Sequence, residues 1–269
     1  MQFKVMFYNV WHGFHKEERN FDGSFDFEEE RLRAAQTVVA RERPNILALA
    51  EACFVRSDQL HRTLNYRELF NMECEFYAPS EGEWGSSVLS NFSIISGQNY
   101  RMHNRSFFKT RIAVGKRIVN FDFMHPHPSL SEEEKQRFVR ASLRDMAAPY
   151  ILAGDFNAIS DEDCYDETKL FNGFSTFDTN AQETIGRLLQ RLAIREVRKH
   201  GLIDTYRARN IDFDYTIPTN RRSLNKDSGI RIDYIFCSSD FRVKDARIIK
   251  CAETDIASDH YPVVAVLEM

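Results

Sequence analysis

Polar side chains that can bind a metal ion or transfer a proton recur where apolar, strand-like runs of the sequence end. The run 3–8 ends in Asn, the run 46–50 in Glu and the run 118–124 in His. Asp-Phe-Asn follows the run 150–154, and Ser-Asp-His precedes the run 261–268. The residues are Asn9, Glu51, His125, Asp155, Asn157, Asp259 and His260. Because α/β sheets place ligand sites where buried strands emerge, this recurrence predicts one shared site.

The chemistry of this set favours a magnesium site. Each residue alone has an ordinary structural explanation, such as a turn cap or a salt bridge at a strand end. Together they supply carboxylates, carboxamides and imidazoles with almost no lysine, which suits a hard cation that prefers oxygen ligands. Glu51 and Asp259 offer anionic oxygens and Asn9 a neutral one. We therefore expect Mg²⁺ as the cofactor, with Mn²⁺ as a substitute.

Other metal and nucleophile patterns fit less well. Zinc would require more converging His or Cys residues. His125 and His127 form the His-x-His pair of a metallo-β-lactamase, but the following motifs are in the wrong order for that family. The calcineurin-like phosphatases require a Gly-Asn-His segment that this chain lacks, and no Gly-x-Ser-x-Gly elbow supports acyl transfer.

Spacing within the motifs suggests how they act. Asp155 and Asn157 lie two residues apart, so in an extended chain they share one face, where one acts on water and the other donates to phosphate oxygens. Asp259 and His260 are adjacent and must sit on a bend to reach one site. Asp233 is a lone acid in the strand-like run 231–236, and such an acid needs a partner, for which histidine is the natural choice.

The elements that position these residues alternate loosely between strands and helices. Helices are predicted over 26–43, with a capping box from Asp26 to Glu29, over 131–148, with a capping box from Ser131 to Glu134, and over 181–200, with Gly201 after it. Strands are predicted at 3–8, 45–50, 86–90, 107–114, 117–124, 150–154, 230–237, 242–249 and 261–268. So many strands with few helices fit an α/β sandwich of mixed sheets.

Composition limits the class of protein. The 269 residues include 22 Phe and carry a net charge of −4, which is unlike a dedicated non-specific nucleic-acid binder. The five cysteines are scattered and odd in number, which argues against a disulfide framework or a thiolate zinc site. We expect a cytoplasmic chain without a signal peptide, a membrane span or an obligate protein partner.

The ordered motifs resemble those of the endonuclease/exonuclease/phosphatase superfamily over residues 9 to 260. Gly154-Asp155-Phe156-Asn157 with Ser258-Asp259-His260 is the most specific pair. The others are Tyr8-Asn9-Val10-Trp11, Leu49-Ala50-Glu51, Gly85-Ser86-Ser87-Val88-Leu89-Ser90, Met124-His125 and Arg231-Ile232-Asp233-Tyr234-Ile235. The resemblance implies a deoxyribonuclease-I-like fold, in which two mixed β-sheets flanked by helices form a four-layer α/β sandwich, here as a single domain over 1–269.

The resemblance also implies which residues hold the metal and which react. Glu51 would be the chief Mg²⁺ ligand, with Asn9 and Asp259 around the ion. Gln commonly precedes this glutamate in the family, whereas Ala50 stands here.

The remaining matched residues would act on water and phosphate. Asp155 would orient or deprotonate the attacking water, and Asn157 would stabilise the charged transition state. His260, held by Asp233, would contact the phosphate, and His125 would donate to a phosphate oxygen. Whether Asp155 or His260 takes the proton stays open at this stage.

One departure concerns the histidine motif. In the family this motif is commonly Thr-His-Leu, whereas here it is Met124-His125-Pro126. His127 is therefore a competing candidate for the role of donor to a phosphate oxygen that is assigned to His125.

Substrate contacts are expected from loops between the motifs. Arg221 and Arg222 are candidates for binding a second phosphate or a nucleic-acid backbone, and Tyr215 and Trp84 are candidates for stacking on a base. A solvated basic loop and ordinary rim packing are the alternative interpretations of these residues.

Three functions are consistent with the sequence. The first is hydrolysis of a phosphodiester in nucleic acid or a nucleotide-containing substrate. The second is hydrolysis of small or lipid-derived phosphates such as inositol phosphates. The third is a catalytically inactive binding module, which would have lost a motif residue, and none is lost.

Overall fold

A computed structural model describes residues 1–19, 25–56, 59–60, 65–80, 83–103 and 105–269. The strands are β1 (Gln2–Asn9), β2 (His15–Arg19), β3 (Phe25–Phe27), β4 (Ile46–Arg56), β5 (Gln59–Leu60), β6 (Cys74–Ser80), β7 (Glu83–Ser90), β8 (Ile94–Met102), β9 (Arg105–Val114), β10 (Arg117–Met124), β11 (Tyr150–Asp155), β12 (Ile203–Asp204), β13 (Asp233–Cys237), β14 (Arg242–Ile248) and β15 (Val263–Glu268). The helices are α1 (Glu29–Glu42), α2 (Tyr66–Leu69), α3 (Glu132–Leu143), α4 (Glu167–Phe174), α5 (Ala181–Leu188), α6 (Leu192–Lys199) and α7 (Ala252–Ala257).

The strands form two mixed sheets. The first has the order β14-β15-β1-β4-β7-β6, and the second has the order β12-β13-β11-β10-β9-β8. Each contains one parallel pair, β1 with β4 and β10 with β11, while its other pairs are antiparallel. The two parallel pairs matter for function, because Asn9, His125 and Asp155 lie at or just after the carboxyl ends of β1, β10 and β11. Glu51 directly follows the part of β4 that pairs with β1.

Three apolar clusters show how the layers stack. Between the sheets, side chains such as Phe7 and Val5 of the first meet Phe121 and Phe123 of the second. A second cluster packs α1, α2 and α7 on the outer face of the first sheet, and a third packs α3 and α6 on the outer face of the second. The predicted four-layer α/β sandwich is thereby confirmed.

Every strand predicted from the sequence is present, with ends that move by a few residues. The largest shift is at the run 45–50, where the strand continues to Arg56. The strands β2, β3, β5, β6, β8 and β12 were not predicted from the sequence, and of these β6 and β8 lie at edges of the two sheets. Polar and half-exposed residues fill much of β8, so the apolar pattern that reveals a buried strand is weak there.

The first predicted helix begins later than expected. Asp26 lies within β3, so it does not cap the helix, and the predicted capping box with Glu29 is wrong. Glu28 stands at the N-cap instead, without a side-chain cap bond, because the backbone pairing of β2 with β3 extends the chain up to Phe27. The helix ends at Glu42, followed by Arg43 in a left-handed conformation before Pro44.

The second predicted helix begins as expected and ends early. Ser131 and Glu134 form the predicted capping box. The helix stops at Leu143 and not near Pro149, since Arg144 is extended.

The third predicted helix is two helices. The helical conformation is interrupted at Arg191, whose backbone is left-handed with φ 57°. The buried carboxylate of Glu132 accepts hydrogen bonds from the main-chain N–H groups of Leu192 and Ala193, at 2.9 and 3.2 Å. A carboxylate at this place satisfies the free donors of a new helix start, so a contact from α3 stabilises the break. Gly201 follows α6 with φ 77°, as predicted for a helix end.

None of the helices in the described part of the chain has the length and apolar character needed to cross a membrane.

Candidate active site

The parallel strand pairs bring the predicted residues to one end of the two sheets. Asn9 is the last residue of β1 and pairs in register with Ala50, beside Glu51. In the second sheet, Asp155 is the last residue of β11 and lies opposite Asp233 on β13. Asn9 and Asp155 then connect the sheets, because the Asn9 amide donates to Asp155 Oδ2 at 3.1 Å.

Glu51 lies in an irregularity of β4. The pairing of β4 with β7 shifts register between Leu49 and Cys53, and Glu51 has a left-handed backbone with φ 54°. A left-handed conformation at a non-glycine residue costs free energy and occurs where surrounding structure enforces it. The irregularity turns the carboxylate so that Oε2 accepts from the main-chain N–H of His12 at 3.0 Å, while Oε1 lies 3.9 Å from His125 Nε2.

Asp155 is the most connected carboxylate of the cluster. Its Oδ1 accepts from the main-chain N–H of Asn157 at 2.9 Å, and its Oδ2 lies 3.5 Å from His125 Nε2 and 3.9 Å from His260 Nε2. Burial, reinforced by the nearby charge of Asp233, raises the pKa of Asp155 to about 7. A carboxyl with this pKa can accept a proton near neutral pH.

The glycine before Asp155 is required by close strand packing. A Cβ atom on Gly154 would lie 1.9 Å from the main-chain oxygen of Met124 on β10, so no other residue fits without moving a strand.

His260 and Asp233 form a buried pair. The imidazole Nδ1–H donates to Asp233 Oδ2 at 2.9 Å, as the sequence analysis expected of a lone acid in a strand. Burial alone would lower the pKa of His260, but the carboxylates of Asp233, Asp259 and Asp155 outweigh it and raise the pKa to about 10. His260 is therefore a cation at neutral pH, with Nε2–H directed toward Asp155.

His125 has the opposite protonation. Burial and the neighbouring Arg105 guanidinium hold its pKa well below the usual range. Arg105 Nη1 lies 3.3 Å from His125 Nδ1, and a guanidinium can only donate, so Nδ1 accepts and the proton resides on Nε2. His125 is thus a neutral donor facing Glu51 and Asp155. The competing candidate, His127, instead contacts the Ser129 hydroxyl at 2.7 Å.

Asn157 occupies a strained turn directly after β11. Its φ is 48°, its side-chain N–H donates to Pro126 O at 3.0 Å, and its main-chain oxygen accepts from the buried Lys135 ammonium at 2.5 Å. Lys135 was not among the site residues predicted from the sequence, although its position is informative. It shares the apolar stripe of α3 with Phe138 and Val139, and a cation there needs a buried partner.

Asp259 pairs with an arginine. Arg222 donates to Asp259 Oδ2 through Nε at 3.0 Å, with Nη2 of the same guanidinium at 2.9 Å. Arg221 pairs with Glu28 at 2.6 Å, and both guanidinium groups lie over the Trp11 ring, at 5.1 Å for Arg221 and 4.8 Å for Arg222.

The two aromatic candidates lie in different surroundings. Trp84 stacks on His12 with ring centroids 5.3 Å apart. Because the His12 N–H binds Glu51, this places Trp84 beside the irregularity of β4 that carries Glu51. Tyr215 packs against Tyr261, and the Lys250 ammonium lies 3.3 Å from the Tyr215 ring centroid. That ammonium covers one face of the Tyr215 ring.

The donor set fits a hard divalent cation. Glu51 Oε1 and Asp155 Oδ2 lie 3.9 and 3.5 Å from the same atom, His125 Nε2, and ligand atoms of Asp155, Asp233 and His260 lie within 4.8 Å of one another. Asn9 turns its amide nitrogen toward Asp155, while its Oδ1 accepts from the main-chain N–H of Trp11 at 3.0 Å. The pKa of Asp155 is raised mainly by burial and secondarily by the charge of Asp233, and a bound cation would offset both costs of ionising this carboxyl. We give the carboxylate of Glu51 more weight than His260, because His260 Nδ1 is already bonded to Asp233.

Comparisons with known proteins agree with this architecture. The profile of the Endonuclease/Exonuclease/phosphatase family matches residues 6–260. The structure is similar to an endonuclease/exonuclease/phosphatase from Beutenbergia cavernae, with a TM-score of 0.71 and 21% identity over 100% of this chain and 72% of that one. It is also similar to an AP endonuclease from Archaeoglobus fulgidus, with a TM-score of 0.69 and 17% identity over 99% of this chain and 100% of that one.

A third similar structure is the 3′ phosphatase NExo from Neisseria bound to a product DNA hairpin, with a TM-score of 0.66 and 17% identity over 99% of this chain and 100% of that one. No protein of curated function matches the sequence significantly. From the profile match over most of its length, the chain belongs to the endonuclease/exonuclease/phosphatase family, whose members are hydrolases of phosphate esters.

Proposed function

We propose that this chain is a magnesium-dependent phosphodiesterase that acts on nucleic acid or a nucleotide-containing substrate by direct attack of water. The observation that carries the proposal is the Asp155 carboxylate, which has a pKa of about 7 and lies between a neutral donor, His125, and a cationic donor, His260. This is the arrangement needed to take a proton from water while donors meet the charge that develops on phosphate.

The metal would be held mainly by Glu51, with Asn9 and with Asp259 once Arg222 releases it. When bound, Mg²⁺ or its substitute Mn²⁺ would polarise a phosphoryl oxygen and offset negative charge. This chemistry accounts for the Glu51 carboxylate, in the irregularity of β4, beside the end of β1.

Residues of the chain would accept the proton from water and donate hydrogen bonds to the phosphate. Asp155 orients the attacking water and accepts its proton, because its pKa lies near the working pH while His260 is already protonated. His260 donates to a phosphate oxygen, held in place by Asp233. His125 donates through Nε2–H, and Asn157 donates from its amide as the transition state forms.

The nucleic-acid assignment draws on two kinds of support. Two of the similar structures are, by their names, an AP endonuclease and a 3′ phosphatase bound to DNA. The guanidinium groups of Arg222, paired with Asp259, and Arg221, paired with Glu28, both lie over the Trp11 ring, and guanidinium groups suit a polyanionic substrate. The inactive-module alternative predicts a missing motif residue, and every motif residue is present in the cluster described above.

The test is hydrolysis of a substrate panel with Mg²⁺, with EDTA and with variants. The panel comprises single-stranded DNA, abasic duplex DNA, 5′-tyrosyl DNA, RNA, bis-p-nitrophenyl phosphate and inositol phosphates. We expect Mg²⁺-dependent cleavage of diesters and a loss of about 100-fold or more for Glu51→Gln, Asp155→Asn and His260→Gln. His127→Gln is the control and should retain activity. Turnover that is restricted to inositol phosphates or insensitive to EDTA would contradict the proposal.

A further inference from the structure

An apolar pocket of about 500 Å³ opens beside the candidate active site, and two residues line both the pocket and the site. Asn157, next to Asp155, forms part of its wall, and so does Arg222, which binds Asp259. A group attached to a phosphate held at Asp155 and His260 would therefore enter this pocket directly.

The walls of the pocket come from several parts of the chain. One part is built by the end of α4, the connection to α5 and the end of α5, with Phe174, Phe177 and Leu188. Another contains Ile230 and Ile232, which lead into β13 and its Asp233. The pocket is thus tied to the backbone that positions the His260 partner.

Phe177 has the properties of a ligand contact. Its side chain is 46% exposed, although it packs against the buried Phe174 with ring centroids 5.2 Å apart. The solvent-facing part of its ring lines the pocket and is available for stacking. Phe171, on the same helix, is similarly exposed at 42% but does not line the pocket.

Polar groups are confined to a few places on the pocket wall. Arg187 and Arg222 contribute guanidinium groups, and Thr184 and Ser228 contribute hydroxyls. Arg187 Nη1 lies 3.5 Å from the main-chain oxygen of Ser129, at the outer limit of a hydrogen bond. A ligand that combines a flat apolar ring with acceptors at its edge matches this distribution.

We infer that the pocket binds the nucleobase of the nucleotide whose phosphate is cleaved, with Phe177 as a stacking residue. This inference rests on the proposed function and names its substrate class. Base stacking on an aromatic side chain is favourable for every base, and the edge acceptors of the base would meet Arg187. An inositol ring carries a polar group on every carbon, and the few polar groups of the wall would leave several of them without a hydrogen bond against the apolar side chains.

The experiment compares diesters that share one leaving group. We would measure kcat/KM with Mg²⁺ for thymidine 5′- and 3′-(p-nitrophenyl phosphate), methyl p-nitrophenyl phosphate and octyl p-nitrophenyl phosphate. At least one thymidine ester should exceed the methyl ester by about tenfold or more. Phe177→Ala should bring the ratio of thymidine-ester to methyl-ester kcat/KM most of the way to one, Phe177→Trp should restore the ratio, and Phe171→Ala should leave both esters unchanged.

Two results would overturn the inference while leaving the phosphodiesterase proposal intact. The first is equal kcat/KM for the thymidine and methyl esters, and the second is a preference for the octyl ester, which would indicate an alkyl chain in the pocket. Absence of hydrolysis for all the esters would contradict the phosphodiesterase proposal instead. In that case saturation-transfer NMR of thymidine 5′-monophosphate in EDTA still tests whether the pocket binds the base. We expect base protons to be saturated in the wild type but not in Phe177→Ala, and no transfer in either would overturn the inference.

Discussion

The ammonium group of Lys135 lies 2.5 Å from the main-chain oxygen of Asn157, and both Lys135 and its partner Glu132 are buried. Glu132 lies 3.4 Å from the ammonium and also accepts from the first N–H groups of α6. One ion pair therefore connects α3, α6 and the strained turn that carries Asn157. We regard Lys135 as a positioning residue for that turn.

Replacing this lysine should impair turnover more than substrate binding. Lys135→Met removes the hydrogen bond to Asn157 and leaves Glu132 buried without its cation, which costs about 3–5 kcal/mol of unfolding free energy. We expect kcat to fall about tenfold or more with a smaller change in KM, because a displaced donor costs transition-state stabilisation.

A double variant separates positioning from stability. Glu132→Gln keeps an oxygen for the α6 N–H groups and removes the uncompensated charge, so Lys135→Met with Glu132→Gln should recover much of the stability in urea unfolding. If kcat recovered along with stability, the positioning role of Lys135 would be wrong.

The Asp233 carboxylate should be needed for activity even though it does not face the substrate. Asp233→Asn keeps the size of the side chain but removes the charge that makes His260 a cation at neutral pH. We expect kcat/KM to fall about 100-fold or more. Circular dichroism should show an unchanged fold, and wild-type rates in a folded variant would exclude the assigned role of the pair.

Arg222 should compete with a metal ion for Asp259. Its guanidinium holds Asp259 Oδ2, and the carboxylate is 4% exposed, so removing the arginine leaves a buried charge that a divalent cation can compensate. Arg222→Gln should therefore bind Mn²⁺ more tightly in calorimetry without substrate. Arg221→Gln is the matched control, because Arg221 pairs with Glu28 and its loss should leave Mn²⁺ affinity unchanged. Weaker Mn²⁺ binding by Arg222→Gln would contradict this competition.

Asp122 should make the stability of the protein depend on pH. Burial raises the pKa of Asp122 from an ordinary 3.8 to about 7, despite a 2.8 Å hydrogen bond from the Tyr150 hydroxyl. The folded state therefore holds a proton that the unfolded state releases. This contribution to stability is complete below pH 3.8 and is lost as the pH rises through about 7.

Comparison of Asp122→Asn with the wild type isolates this effect. The unfolding free energy of the variant relative to the wild type should rise by about 1–3 kcal/mol between pH 4 and pH 8. Asp240→Asn, at an exposed carboxylate that accepts from Ser238, is the control. A difference that stays constant over this range would show that Asp122 does not titrate as described.

The sequence by itself determined most of the strands and the place of the site. Residues that end buried strands are recognisable because the apolar run stops at a polar side chain, as at Asn9 and Asp155. The histidine expected as a partner for Asp233 could be anticipated, because a lone carboxylate in a buried strand must be neutralised. These inferences depend only on local pattern and on the cost of burying charge.

Only the tertiary structure decided which contacts tune that site. Arg105 on β9 determines which ring nitrogen of His125 carries the proton, and Arg222 forms an ion pair with Asp259. Glu132 stabilises a break at Arg191 in what local periodicity predicts to be one continuous helix. Each of these is a polar contact between side chains or backbone groups 20 to 60 residues apart. The spacing of residues in the sequence does not predict these contacts. They form only when the layers pack together and every buried polar group must find a partner.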